Sequence, residues 1–466
     1  MAEDFPVGAQ DEKKQESAFP TMCTPTIGDI PVYQIDMGKP AEERYIQLAK
    51  DFAPQIRSVS PLFDEVLESL FSKKLSGFIK FASRHAIRKV FSKEQTNEIK
   101  SIASSAKIST HLVMALNLFL DLLLGCTSGA ALVHPTPGKQ SEKDNTDRLM
   151  HFRTLEWGMH VLRDLLVVVE FVNSKKGDKD EVIARSVTYA GFVGCLTGVR
   201  KDLSISLNFR PNHDCKTSSL RKHQLLVLLG RREAVPSILR RILLNEDFDD
   251  KKSKGSKDKD TGLNKHRKEP LTIAAAVKKL AFTPASPCYA TFCDGSKVMT
   301  VLKDLHIGRA KTSNVFQVQC NHDPDHKVCC GHLTNTNTNT NTTNEATQSQ
   351  PQAPVVGDGE WLYESENRQR ALEMKWMRHM GAVTIRAGAA LECGRNGICF
   401  NVDLMSETGA DAEVPGVNEA TLQQWIEAYP TTNECTHFSC IMDPVYGTFR
   451  WIARGPEASD SSVSAN

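Results

Sequence analysis

The chain has 466 residues, of which 40% are hydrophobic and 24% are charged, so it is long enough to bury a large core and to hold two or three domains. Its 57 basic and 56 acidic residues leave a formal net charge of +1, which argues against a general nucleic-acid or anionic-membrane surface. Thirteen cysteines, an odd number without a small-domain framework, favour a reducing compartment over a disulfide scaffold.

The first residues contain neither the basic segment nor the apolar segment of a secretory signal. The most apolar runs are interrupted by Asn117 and Asp121, and by Asp164 and Glu170, so none reaches the roughly 18 residues that span a membrane. From this pattern we expect a soluble protein of the cytoplasm or another intracellular compartment, without a transmembrane anchor.

Before Cys126 the predicted elements are mainly helical. Residues 1–28 are polar and are expected to be disordered, and residues 31–37 alternate like an edge strand. Apolar side chains then recur at helical spacing from 42 to 91, and a denser apolar helix begins near Ser109 and ends at Gly125.

After Cys126 the pattern changes to short β-branched or alternating runs, which are typical of strands. Helical spacing returns at residues 224–245 and 271–280. Periodicity alone therefore predicts an α+β fold. The predicted strands cover residues 127–134, 149–153, 166–172, 181–189, 203–209, 287–293, 298–302 and 314–320.

Three polar stretches interrupt these elements and are predicted to be surface insertions. They are a loop at 138–147, a mixed-charge run near 245–270, and a low-complexity run rich in Asn, Thr and Gln near 333–356. None contains enough apolar side chains to offset the entropy cost of ordering it.

Cys126 lies where the apolar helix meets a segment of small residues. An arbitrary cysteine in such a place is most often simply buried. Here Gly125 precedes it, and glycine can adopt the backbone conformations that a thiol needs to attack the preceding carbonyl. Cleavage there would give Cys126 both a nucleophilic thiol and a free α-amino group, whose ordinary pKa of about 8 suits a general base.

Seven short segments carry a specific resemblance. They are IPVYQIDM (30–37), GCTSG (125–129), HFRTLE (151–156), AGFVGCLTG (190–198), LNFR (207–210), VQCN (318–321) and ENRQR (366–370). In these segments and in their order, the chain resembles the acid ceramidase and N-acylethanolamine acid amidase family, whose members are N-terminal nucleophile hydrolases.

The resemblance implies a four-layer αββα sandwich with an added N-terminal helical segment. It also implies self-cleavage before Cys126 into a piece 1–125 and a catalytic piece 126–466, which stay bound to each other. The expected reaction is hydrolysis of a lipid amide, ceramide or N-acylethanolamine, to a fatty acid and an amine without a cofactor. Because the family's best-known members are lysosomal, lysosome or vacuole is the alternative location.

By the same resemblance, Cys126 is the nucleophile and Arg153 lies beside it. Glu156, which stands where the family has aspartate, would hold the new amino group, although the pair Arg153 and Glu156 could also be an ordinary surface pair. Asn321 would be the oxyanion donor, or else a turn residue.

Three further residues are expected to support the substrate or the oxyanion. Asn208 falls in a family motif in which Phe209 replaces a glutamate. Arg368 and Arg370 both lie near the family's arginine position, and the sequence leaves open which of them corresponds.

Two alternatives remain. The first is a penicillin-type acyltransferase of the same fold. The second is a catalytically silent, zinc-stabilised binding protein, because Cys320, His322, Cys329 and His332 lie within one segment at spacings that could hold zinc. We expect no metal site, since no second cysteine pair at zinc-finger spacing is present.

Overall fold

The structure, a computed structural model, describes nine segments of the chain. The predicted insertions lie almost wholly outside them, as do most of residues 1–28 and the part of the predicted helical segment from 60 to 87. The described residues are 26–59, 88–119, 125–135, 146–175, 181–211, 213–246, 270–323, 359–386 and 416–456.

Strands and helices alternate along the described chain. The strands are β1 (Thr26–Ile27), β2 (Ile30–Asp36), β3 (Gly125–Val133), β4 (Arg148–Glu156), β5 (Leu166–Val172), β6 (Ala184–Tyr189), β7 (Thr197–Arg200), β8 (Leu203–Phe209), β9 (Cys288–Cys293), β10 (Val298–Lys303), β11 (Gly308–Ser313), β12 (Phe316–Gln319), β13 (Thr436–Asp443) and β14 (Thr448–Arg454). The helices are α1 (Ile46–Asp51), α2 (Ala53–Ser58), α3 (Lys93–Ala106), α4 (Thr110–Phe119), α5 (Thr217–Leu228), α6 (Val235–Leu243), α7 (Ile273–Phe282), α8 (Gly359–Arg386) and α9 (Glu419–Glu427), with a 3-10 helix at His160–Leu165.

The strands form two sheets. The larger has nine strands in the order β1-β2-β5-β6-β7-β8-β9-β10-β11, and the smaller has five in the order β12-β3-β4-β13-β14. Strand β2 pairs in parallel with β5, whereas the other neighbouring strands are antiparallel. The N-terminal part of the chain thus supplies two strands of the larger sheet.

The two sheets pack face to face, with β3 against β8 and β9. On the outer side of the larger sheet, α6 contacts β7 and β8, and α7 contacts β9, β10 and β11. On the outer side of the smaller sheet, α8 lies on β3 and β12, and α9 lies on β4 and β13. This arrangement of helix, sheet, sheet and helix confirms the expected αββα sandwich.

Alternation along β3 and β4 separates two environments. Cys126 and Leu155 belong to the main core, which includes residues of the larger sheet, whereas Ala131 and Phe152 pack against Leu372 of α8 in a second core. Because side chains of a strand alternate between faces, Cys126 points towards the larger sheet and its neighbours point towards α8.

Several predicted boundaries were wrong. The predicted helix at 224–245 is two helices, since Gly230 has φ of 59° and Pro236 lies in the first turn of α6. Strand β1 lies within the segment expected to be disordered, because Gly28 and Asp29 form a two-residue hairpin turn with φ values of 55° and 61°. Strands β7, β11, β13 and β14 were not predicted.

Within the described ranges, no helix combines the length and the apolar character needed to cross a bilayer.

Candidate active site

Cys126 is the second residue of β3 and is completely buried. Its backbone N–H donates to Asn321 Oδ1 over 2.6 Å, and its thiol lies 3.6 Å from the carbonyl oxygen of Leu207. The preceding Gly125 is paired with Glu156, and a Cβ atom at Gly125 would lie 3.2 Å from the Cβ and O atoms of Glu156. A side chain at position 125 would therefore press against Glu156, which favours glycine here.

The Cys126 thiol is protonated near neutral pH in the intact chain. Its pKa is raised to about 11, mainly by burial and also by the charge of Glu156, whereas the charges of Arg153 and Arg368 act in the opposite direction. The positive charges therefore do not overcome desolvation, and the thiol needs a nearby base before it can attack.

Arg153 and Asn208 lie together between the two sheets, next to Cys126. Arg153 Nη1 donates to Asn208 Oδ1 over 2.5 Å and to Ser128 Oγ over 3.0 Å. Asn208 Nδ2 in turn lies 3.4 Å from the Cys126 carbonyl oxygen and 2.8 Å from that of Gln319. Arg153 is completely buried, yet Nε and Nη2 have no hydrogen-bond partner within the described residues, so donors remain available beside the thiol.

Asn321 bonds Cys126, the larger sheet and helix α8. Its Oδ1 accepts from Cys126 N and, over 3.3 Å, from Arg368 Nη2, while its Nδ2 donates to the carbonyl oxygen of Phe209 over 2.8 Å. The backbone N–H of Asn321 donates to Ser365 Oγ of α8 over 2.7 Å. The residue predicted as an oxyanion donor is therefore at the site, with its amide oxygen towards Cys126.

Glu156 lies on the opposite face of the sheet from the Cys126 thiol. Thr154 Oγ1 donates to its Oε1, and Oε2 lies 3.6 Å from Arg368 Nε of α8. The carboxylate is thus buried in an ion pair behind β3, and the surface-pair alternative for Arg153 and Glu156 is wrong because both side chains are buried. Its predicted role at the new amino group stays a prediction.

The two candidate arginines, Arg368 and Arg370, lie on different faces of helix α8. Ser365, Arg368 and Leu372 are buried at helical spacing and face the smaller sheet, whereas Arg370 is exposed. Arg368 is charged although it is buried. Desolvation alone would lower its pKa, but the charge of Glu156 keeps the pKa above its usual value. Arg368 therefore contacts the site, and Arg370 lies away from it.

The segment proposed as a zinc site is described only in part. Cys320 is buried 3.5 Å from Thr127 Oγ1, and His322 Nδ1 lies 2.9 Å from Ser365 Oγ. Cys329 and His332 lie outside the described residues. Among the residues that the structure describes, no three potential ligands form a metal-binding group.

The sequence analysis missed several residues around Cys126. Ser128 could have been predicted, because it lies two residues after Cys126 on the same strand face, and Ser365 precedes Arg368 by one helical turn. No comparable spacing in the sequence indicates the buried pair of Tyr189 and His437. His437 reaches the space between the sheets from an irregularity in β13, and its Nδ1 accepts from the Tyr189 hydroxyl over 2.8 Å.

Comparison with known proteins supports one family. The model for the beta subunit of N-acylethanolamine-hydrolyzing acid amidase matches residues 28–91. This matched segment precedes Cys126, so that subunit name does not correspond to residues 126–466.

Two acid ceramidases are among the relatives in sequence. That of Pan troglodytes is 24% identical over 220 residues, which are 45% of this chain and 52% of that protein. That of Bos taurus is 24% identical over 266 residues, which are 53% of this chain and 61% of that protein. The chain thus spans about half to three fifths of the length of these relatives.

A Caenorhabditis elegans N-acylethanolamine-hydrolyzing acid amidase ortholog of solved structure has a TM-score of 0.40 to this chain at 15% identity, covering 71% of this chain and 100% of that one. In sequence, the chain is thus similar to acid ceramidases and to the N-acylethanolamine-hydrolyzing acid amidase family.

Proposed function

We propose that the chain is an autoprocessing amidase, which cleaves the Gly125–Cys126 bond and then hydrolyses lipid amides with the Cys126 thiol. The observation that carries the proposal is the convergence on one buried cysteine of Arg153, Asn208 and Asn321, which come from β4, β8 and the end of β12. Nucleophile, charged donor and amide groups are the parts that amide hydrolysis requires.

Processing would begin with attack of the Cys126 thiol on the carbonyl carbon of Gly125. The C–N bond breaks, the sulfur takes the acyl group as a thioester, and the thiol proton passes to the departing nitrogen. Water then hydrolyses the thioester, which leaves a carboxylate on Gly125 and a free thiol and amine on Cys126. Asn321 Oδ1 can accept from this nitrogen both as an amide and as an amine, so its 2.6 Å contact suits both states.

In the processed enzyme, the α-amino group would take the thiol proton, and the thiolate would attack the amide carbonyl of the substrate. The unpartnered donors of Arg153 are placed to bind the oxyanion. The departing amine takes the proton, and water then hydrolyses the acyl-thioester to a fatty acid.

Asn321 could act as an oxyanion donor only after its amide flips. An amide nitrogen at Cys126 can donate but cannot accept, so in the intact chain it faces Oδ1. A neutral amine can accept as well, so Nδ2 can turn towards the site after cleavage only by giving up its bond to the Phe209 carbonyl.

The two pieces should remain associated after cleavage. Strand β2 of the first piece pairs with β5 of the second, and Arg240 Nη2 of α6 donates to Glu98 Oε1 of α3 over 2.8 Å within the core. Since both Glu98 and Arg240 are buried, separating the pieces would leave uncompensated charges and an exposed sheet edge.

For the substrate we propose an amide of a long-chain fatty acid. The names of the matched relatives point to ceramide and to N-acylethanolamine as the two amides to compare.

N-terminal sequencing and intact mass of the purified chain provide the test. Wild type should yield a second amino terminus at Cys126 and then hydrolyse one of the two lipid amides, whereas Cys126→Ala should stay whole and inactive. Cys195→Ala is the matched control, because Cys195 is equally buried in the same core. An intact wild-type chain with full amidase activity would overturn the proposed mechanism.

A further inference from the structure

Three consecutive residues at the end of β8 each bond the segment that carries Asn321. Asn208 Nδ2 donates to the Gln319 carbonyl over 2.8 Å, and the Phe209 carbonyl accepts from Asn321 Nδ2 over 2.8 Å. Arg210 then makes two parallel bonds to Asp323, Nε to Oδ1 at 2.8 Å and Nη2 to Oδ2 at 2.6 Å. The last of these contacts has no part in the chemistry described above.

Arg210 is itself rigidly held. Its side chain is 1% exposed, its remaining nitrogen Nη1 donates to Asp304 Oδ1 over 2.9 Å and to the Lys303 carbonyl over 3.1 Å, and its guanidinium lies over the ring of Tyr289. The Tyr289 hydroxyl also donates to Asp323 Oδ1 over 2.5 Å. Planar guanidinium geometry satisfies both carboxylates at once, which a lysine could not do.

Asp323 stays ionised in this setting. Burial alone would raise its pKa, but the hydrogen bonds from Arg210 and Tyr289 outweigh burial and hold the pKa below its usual range. The same contact raises the pKa of Arg210, although burial opposes it. The ion pair therefore persists at neutral and mildly acidic pH.

We propose that Arg210 is a positioning residue for the reaction at Cys126, which acts by clamping Asp323 and thereby holding Asn321 against the Cys126 nitrogen. The inference rests on the proposed function. Asp323 lies two residues after Asn321, so this ion pair holds the chain beyond Asn321 from the side of the larger sheet. On the side of α8, Ser365 holds Asn321 N and His322. Asn321 is thus fastened from both layers.

The test compares Arg210→Met with Arg148→Met in the full-length chain. Arg148 is the matched control, because it also forms a buried ion pair, with Asp443, but at the far end of β4 from Cys126. Both variants should lose thermal stability. Only Arg210→Met should lower kcat, by roughly 10–100-fold with KM changed little, because a small displacement of a positioned group lowers turnover by this order.

Arg210→Lys and Asp323→Asn show whether Arg210 acts through Asp323. Lysine keeps the charge but loses the paired bonds, so it should recover only part of the activity. The double variant Arg210→Met with Asp323→Asn should be no slower than the worse single variant, because the two changes remove the same interaction. Additive losses, or full activity of folded Arg210→Met, would refute the clamp.

A second measurement keeps the inference independent of catalysis. Hydrogen exchange of the backbone amides in residues 316–323 should increase at least several-fold in Arg210→Met and should stay at the wild-type rate in Arg148→Met. If wild type neither processes nor hydrolyses lipid amides, the proposed function fails, and unchanged exchange in Arg210→Met is then the result that also removes the clamp.

Discussion

The protein is expected to lose stability as the pH falls, because the buried histidines His151 and His437 disfavour protonation in the folded state. His151 lies between the sheets, with Nδ1 and Nε2 each 2.8 Å from a serine hydroxyl, of Ser204 and Ser206. Burial, together with the charge of Arg153, lowers its pKa to about 3. His437 bonds Tyr189 and the Trp157 carbonyl, and burial, with a smaller effect from Arg163, lowers its pKa to about 3.

The sign and size follow from proton linkage. Because the folded pKa lies below the unfolded value of about 6.5, the stabilising contribution is complete above about pH 6.5 and is lost as the pH falls towards about 3. At pH 5 the unfolded chain has bound a proton at each site and the folded chain has not, which costs about 2 kcal/mol per histidine, or about 4 kcal/mol for the pair. This is a large part of the usual 5–15 kcal/mol of domain stability.

The assay is chemical denaturation of Cys126→Ala at several pH values between about 7.5 and 5, since this variant should not cleave itself. His151→Gln and His437→Gln remove the titrating groups while keeping a donor and an acceptor. Each should therefore reduce the loss of unfolding free energy at pH 5 by about 2 kcal/mol. His306→Gln is the control, because His306 is exposed.

Other groups contribute to the absolute curve but not to this difference. Burial raises the pKa of Glu246, so this residue opposes the loss by favouring the folded state as the pH falls. It is present in every variant. Equal pH dependence in Cys126→Ala and in the double glutamine variant would show that the histidines are not held neutral and would refute the reasoning.

Three further predictions concern the site. Arg368→Ala should lower turnover more than Arg370→Ala, because only Arg368 contacts Glu156 and Asn321; similar rates for the two variants would contradict the placement of α8. Asn321→Ala should lower kcat by roughly 10²–10³ with little change in KM, and an unchanged kcat would remove it from the site. Glu156→Gln should reduce processing or turnover far more than it reduces Tm while Glu156→Asp is tolerated, and equal kinetics for wild type and Gln would leave Glu156 with a structural role only.

The strands that the sequence predicted are those whose composition decides their structure. Leu166–Val172 consists largely of valine and other apolar residues and is buried on both faces, so periodicity and composition agree. Strand Gly308–Ser313 is polar and mostly exposed, and Thr197–Arg200 has four residues including a glycine. Such strands exist because a neighbouring strand pairs with them, and the periodicity of the strand itself does not show that pairing.

The site was predictable only in part, because some of its contacts join residues that are far apart in the sequence. Resemblance pointed to Arg153, Asn208 and Asn321, and the structure brings all three to Cys126. The ion pair of Arg210 with Asp323 joins residues 113 positions apart, and nothing in the spacing of one sequence indicates it. The choice between Arg368 and Arg370 needed the rotation of α8 relative to the sheet, which depends on packing.

One signal in the sequence was available and went unused. Alternation puts Ser204, Ser206 and Asn208 on one face of β8, a polar row in a buried strand, and it puts His151 and Arg153 on one face of β4. Buried polar groups need partners, so two such rows predict each other as neighbours between the sheets.

The structure joins the two rows through His151 with Ser204 and Ser206, and through Arg153 with Asn208. Arg153, which lies beside the candidate nucleophile, thus adds to burial in disfavouring protonation of His151. The part of the acid sensitivity that comes from His151 and the candidate chemistry therefore involve the same row of side chains.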